Sequence, residues 1–168
     1  MASFTRDENI PHTGKVSGHG FDVVVAPAVT AGAYSANDIM GALMTFEVAD
    51  VIDGLVLIQE IVVTFKAAVT PSLRAILFSA DPTGTTKTDN AAYSLAVADA
   101  FKMRRTIELE SGDIVDHGTP NTVQAVNLAI PMKPASGTKN VYLLLVDLTG
   151  VTLTSTSDLQ VRLAGVGG

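Results

Sequence analysis

Cysteine and tryptophan are both absent from this chain. Without thiols it can form neither a disulfide framework nor a thiolate zinc site, and its compartment cannot be read from redox chemistry. The fold must therefore hold by packing. Charge is sparse as well: 17% of the residues are charged, against roughly 25% in an average soluble domain. With 47% hydrophobic residues, a compact monomer of this size would struggle to hide its apolar surface, because surface scales with mass. Self-association or docking on a larger body is the expectation.

A basic surplus is missing too. Seventeen acidic against eleven basic residues leave a formal charge of −6, which repels a phosphate backbone, so no nucleic-acid partner is expected. Apolar runs such as Val141 to Val146 fall far short of the roughly 20 residues a membrane helix needs. No membrane partner is expected. Nor is a signal peptide, since residues 1–20 are polar and carry Arg6, Asp7 and Glu8.

Reactive patterns are scarce. There is no G-x-S-x-G elbow, phosphate-cradling glycine loop or HExxH helix. His12 and His19 lie seven apart in a glycine-containing tail, and His117 sits beside Asp116 in a loop. Asp81, Asp89, Asp99, Asp113 and Asp116 lack the spacing of a calcium loop, and turn formation accounts for each. The chain is expected to be no enzyme, with neither cofactor nor metal.

What the sequence does hold is short, β-branched segments separated by turn residues. Residues 1–20 have no periodicity and read as a flexible N-terminal arm, either a disordered terminus or a segment that orders on a neighbouring subunit with Phe4 and Ile10 as anchors, and 21–168 read as one domain. Phe21 to Ala26 opens the strands, stopped by Pro27. Met44, Phe46 and Val48 alternate with Thr45 and Glu47, and in the run from Leu55 to Ala67 Ile61, Val63 and Phe65 share one face while Glu60, Val62, Thr64 and Lys66 share the other. Met103, Arg105, Ile107 and Leu109 are expected on one side of a further strand. Thr122 to Ile130 reads as a strand ended by Pro131, and Asn140 to Val146 as a central strand covered on both faces. Leu159, Val161 and Leu163 point inward from the last strand. Ala91 to Phe101 reads either as a short strand or as one helical turn. Eight or nine strands with long connections predict an all-β, jelly-roll-like β-sandwich of about eight antiparallel strands with an extended N-terminal arm.

The chain is organised around Leu73 to Tyr93, an apolar strand that runs into Asp81, Pro82 and Gly84, then into four threonines between Thr83 and Thr88. Jelly rolls often carry sugar sites, and Tyr34 and Tyr93, both near turns, are the candidate stacking rings.

Ala33-Tyr34-Ser35-Ala36-Asn37-Asp38 with Gly41, then Leu77 to Thr83 and Thr88 to Tyr93, resemble a group of small structural proteins of tailed bacteriophages. The resemblance covers about Tyr34 to Asp99. It departs from the group's pattern at Ser79, where an acidic residue is usual, and at Ala42, where a second glycine is usual. The motifs are turn-forming rather than catalytic. The resemblance implies a virion component: a capsid decoration or cement protein, a homotrimer on the outside of the head, assembled in the host cytoplasm and bound to the major capsid protein. Phe4, Arg6 and Ile10 are the expected capsid contacts of the arm. The alternative is a glycan-binding module of a phage head fibre or tail adsorption apparatus, using Tyr34 and Tyr93.

Overall fold

In a computed structural model, residues 19–168 are described. They form ten strands: β1 (His19–Val25), β2 (Ile39–Glu47), β3 (Val56–Phe65), β4 (Leu73–Phe78), β5 (Met103–Leu109), β6 (Ile114–Asp116), β7 (Asn121–Ala125), β8 (Ile130–Met132), β9 (Asn140–Asp147) and β10 (Leu159–Gly167). One sheet runs β1-β10-β3-β7-β6 with β8 also on β3, and the other runs β2-β9-β4-β5. Neighbours are antiparallel throughout. Four-strand cores of order β1-β10-β3-β7 and β2-β9-β4-β5 are the two facing sheets of a jelly roll. The expected all-β sandwich is the one found, and the expected arm lies outside the described residues but for its last two.

Alternation builds the core between the sheets. Val56, Ile58, Ile61, Val63 and Phe65 of β3 face Met44 and Phe46 of β2, Leu73, Ala75 and Leu77 of β4, and Val141, Leu143 and Leu145 of β9. Leu159, Val161 and Leu163 point inward from β10. Ile58 and Ile61 can share a face because the register slips there: Ala164 pairs with Glu60 but Gly165 with Ile58, leaving Gln59 as a bulge.

That bulge explains one departure from the sequence expectation. The strand expected over Thr122 to Ile130 is two strands, β7 and β8, both on β3, with the residues between them thrown out of the ladder. Asn127 takes a positive φ of 57°, Leu128 donates its N–H to the Gln59 carbonyl at 2.9 Å, and Val126 is exposed. Pro131 does not end the run but lies inside β8, opposite Leu57. It is tolerated because β8 pairs with β3 alone and needs no donor on its other edge.

A second correction falls on β5. The register shifts between Leu77 and Phe78, so Met103 packs on the outer face of its sheet with Phe78, Ile107 and Leu109 face the main core, and Arg105 is exposed. The four residues do not form one buried stripe.

β9 lies between β2 and β4 and is buried on both faces, as expected. Its outer side, Leu144 and Val146, joins Ile39, Ile76 and Phe78 in a second apolar cluster. The cover is the chain's own β4–β5 connection, which brings Tyr93 and Leu95 onto that cluster. Ala91 to Phe101 is therefore neither a strand nor an ordinary helix: it holds an isolated bridge, Asp38 with Ala92, and one 3-10 turn, Val97–Asp99. β1 starts at His19, so the last two residues assigned to the arm belong to the sheet.

Candidate functional site

Two stretches singled out in the sequence, 33–38 and 88–93, meet as a clasp. Asp89 sits at its centre. Its carboxylate accepts from the Gly41 N–H at 2.6 Å, the Thr30 N–H and hydroxyl at 2.7 Å each, and the Tyr34 hydroxyl at 2.8 Å. Backbone bonds close the clasp: Ile39 N–H to the Ala91 carbonyl at 2.9 Å, Asn90 N–H to the Ile39 carbonyl at 2.8 Å, and Tyr93 N–H to the Asn37 carbonyl at 2.8 Å. Four residues here have positive φ: Asn37 at 77°, Asn90 at 54°, Gly41 at 81° and Ala42 at 55°. Asn and Gly enter that region cheaply, whereas Ala does not.

This geometry corrects one of the two stacking candidates, Tyr34. The Tyr34 ring is 4% exposed, and burial followed by the Asp89 hydrogen bond pushes its phenol well above the ordinary range. A buried ring holding a carboxylate offers no face to a sugar. Tyr93 is half-buried against the outer cluster, and burial raises its phenol also, with Arg74 acting the other way.

The other aspartate of this connection fixes a turn. Asp99 is 1% exposed. Its Oδ2 accepts from Gly84 N–H, Thr85 N–H and Thr85 hydroxyl at 2.8, 2.8 and 2.9 Å, while Lys102 Nζ meets its Oδ1 at 2.8 Å. The Lys102 bond, with Thr85 and Gly84 adding to it against the cost of burial, holds the carboxyl down at about 2. The turn so pinned carries Val97 and Phe101 outward, 87% and 85% exposed.

Phe101 does not stand alone. Ser79 donates to the Lys102 carbonyl and accepts from Ala135 N–H; Asp53 donates to the Thr138 carbonyl and accepts from Gly137 N–H at 2.9 Å. The β2–β3, β4–β5 and β8–β9 connections are thus stitched together at one end of the sandwich. That end also exposes Val51, Ile52 and Leu55, the last at 63%.

The remaining expected site residues are scattered. Phe4, Arg6 and Ile10 lie outside the described residues, as does His12. His19 pairs with Asp50 at 2.7 Å, and His117 stands 3.3 Å from the Thr122 hydroxyl. Among the described residues no three His, Asp or Glu side chains gather as a cation site. A cleft of about 660 Å3 opens between the β5 edge and residues 127–131. The one carboxylate lining it, Glu108, is tied to Arg74 at 2.9 Å.

Neither a protein-family model nor a curated protein matches the chain. Among solved structures, one described as Desmodium yellow mottle tymovirus is similar over 97% of this chain and 93% of that one, at 14% identity and a TM-score of 0.32. So distant a similarity carries no argument about what this chain does. The strand order alone defines the class: a jelly-roll β-sandwich.

Proposed function

We propose that the chain is a non-enzymatic capsid decoration, or cement, protein of a tailed bacteriophage. It binds the outside of the assembled head and stabilises contacts between neighbouring capsomers of the major capsid protein, acting as a homotrimer. The observation that carries this reading is the clasp. The residues on which the chain resembles phage structural proteins are spent on holding one long connection across a sheet, from Tyr34 and Asp38 on one side to Asp89, Ala92 and Tyr93 on the other. A motif devoted to architecture suits a protein whose product is a surface.

The mechanism is mass action. A protein that binds only the assembled, expanded shell stabilises that state by its difference in affinity for the two forms. Many copies bridging adjacent capsomers add avidity with no strong single contact. The net charge of −6 favours an outer station, away from packaged nucleic acid. The arm residues Phe4, Arg6 and Ile10 would add contacts to the neighbouring capsomer. The glycan-binding alternative loses its stacking pair with the burial of Tyr34.

The test uses heads of the phage that encodes this chain, assembled without it. Added protein should co-sediment with expanded heads and not with unexpanded ones, and should raise the temperature at which heads rupture. Equal affinity for both forms, or none for either, would remove the reading.

A further inference from the structure

We infer that the end of the sandwich formed by the β2–β3 and β4–β5 connections is the surface that seats on the shell, with Phe101 and Val97 on one side and Val51, Ile52 and Leu55 on the other. This rests on the decoration reading and names its contact face. Five of the eight large apolar side chains that stand exposed among the described residues lie at this one end. The opposite end, made by residues 26–38, 66–72, 110–120 and 148–158, holds one of the eight, Val115, and its turns carry carboxylates that accept from neighbouring backbone. Asp158 accepts from Thr154 and Ser155 there, and Asp147 from Thr149.

The apolar side chains are displayed rather than left over. Phe101 and Val97 ride on a turn whose carboxylate, Asp99, is buried and fully engaged. Val51, Ile52 and Leu55 ride on a loop held by Gly54 N–H to the Val51 carbonyl, Asp53 N–H to the Thr138 carbonyl and Gly168 N–H to the Leu55 carbonyl. Side chains held outward on rigid turns lose little freedom on binding, and a rigid aromatic is the usual anchor of an interface.

The occupant follows from where the rest of the chain joins. His19 pairs with Gly167, and Gly167 with Val56. The eighteen residues ahead of β1 therefore attach at this same end, beside the apolar rim. A second copy is the poorer occupant. One patch pairs with itself only across a two-fold axis, which would consume the rim and turn the attachment points of two arms toward each other.

Three variants test this: Val97→Ser with Phe101→Ser, Ile52→Ser with Leu55→Ser, and Val115→Ser at the opposite end. Each is measured for co-sedimentation with expanded heads, for mass by light scattering and for thermal midpoint. The two rim variants should lose head binding about tenfold or more at unchanged mass and midpoint, and Val115→Ser should bind as the parent does. Rim variants that bind heads like the parent overturn the surface while leaving the decoration reading intact. Rim variants that fall in mass show that the patch joins copies of the chain, which also overturns it. A parent protein that ignores heads removes the decoration reading and this surface with it.

Discussion

Asp89 takes donors from three residues of one stretch, Thr30 and Tyr34 in the β1–β2 connection and Gly41 in β2, so its removal strands several groups at once. Asp89→Ala should cost about 2–4 kcal/mol of unfolding free energy, and Asp89→Asn less, since the amide oxygen still accepts. Denaturant titration measures both. Ala42 makes the opposite case. Its φ of 55° is a conformation an alanine adopts at a cost, and this is the position where the resembling phage proteins carry glycine. Ala42→Gly should gain roughly 0.5–1 kcal/mol, the strain relieved exceeding the entropy glycine loses on folding. An Ala42→Gly protein less stable than the parent would contradict the conformational account. Asp99 yields a pH dependence. Its folded carboxyl titrates near 2 against an ordinary 3.8, so the fold favours the ionised form. The stability this confers is complete above the ordinary value and is lost as pH falls from 3.8 toward 2. Over that interval the gap in thermal midpoint between the parent and Asp99→Asn should close.

Among the elements, the β4–β5 connection does a job no strand does. It covers the outer face of β2-β9-β4-β5 and lets β9 be apolar on both sides, while the outer face of the other sheet carries the ion pairs of Arg162 with Asp22 and Glu60. Phe78, fully buried in the covered cluster, should cost about 3–5 kcal/mol when cut to alanine. Phe101, at the far end of that connection and 85% exposed, should change stability by less than about 0.5 kcal/mol when replaced by serine. Two phenylalanines on either side of one connection thus separate folding from display. Finding their effects equal would show that the rim side chains pack in the folded domain. Amide exchange should be slowest in β9 and β4, the strands with paired neighbours on both edges and cover on both faces.

For the molecule as a whole, the apolar excess has been divided. Much of it is absorbed by two clusters, one between the sheets and one beneath the β4–β5 connection, and a concentrated remainder stands at one end. That remainder is the part of the apolar excess that the proposed shell contact would cover. Light scattering on the purified chain should give the mass of three copies under the proposed trimer, and a monomer at all concentrations would sink that stoichiometry.

Period-two alternation and the stop at Pro27 made most strands legible in the chain itself, because inward side chains must recur every second residue wherever one face is buried. Val141 to Val146 announced a doubly covered strand by its unbroken apolar run, though not what would cover it. Other features arose only between segments far apart in sequence. The bulge at Gln59 divided an apparently regular strand into β7 and β8 because register is settled by a partner's path. Tyr34 passed from a sugar-stacking candidate to a buried strut because Asp89, fifty-five residues away, needed a donor. Local pattern determines which face of a strand is greasy. Which greasy side chains remain outside depends on how the connections close over the sheets, and only the assembled sandwich decides that.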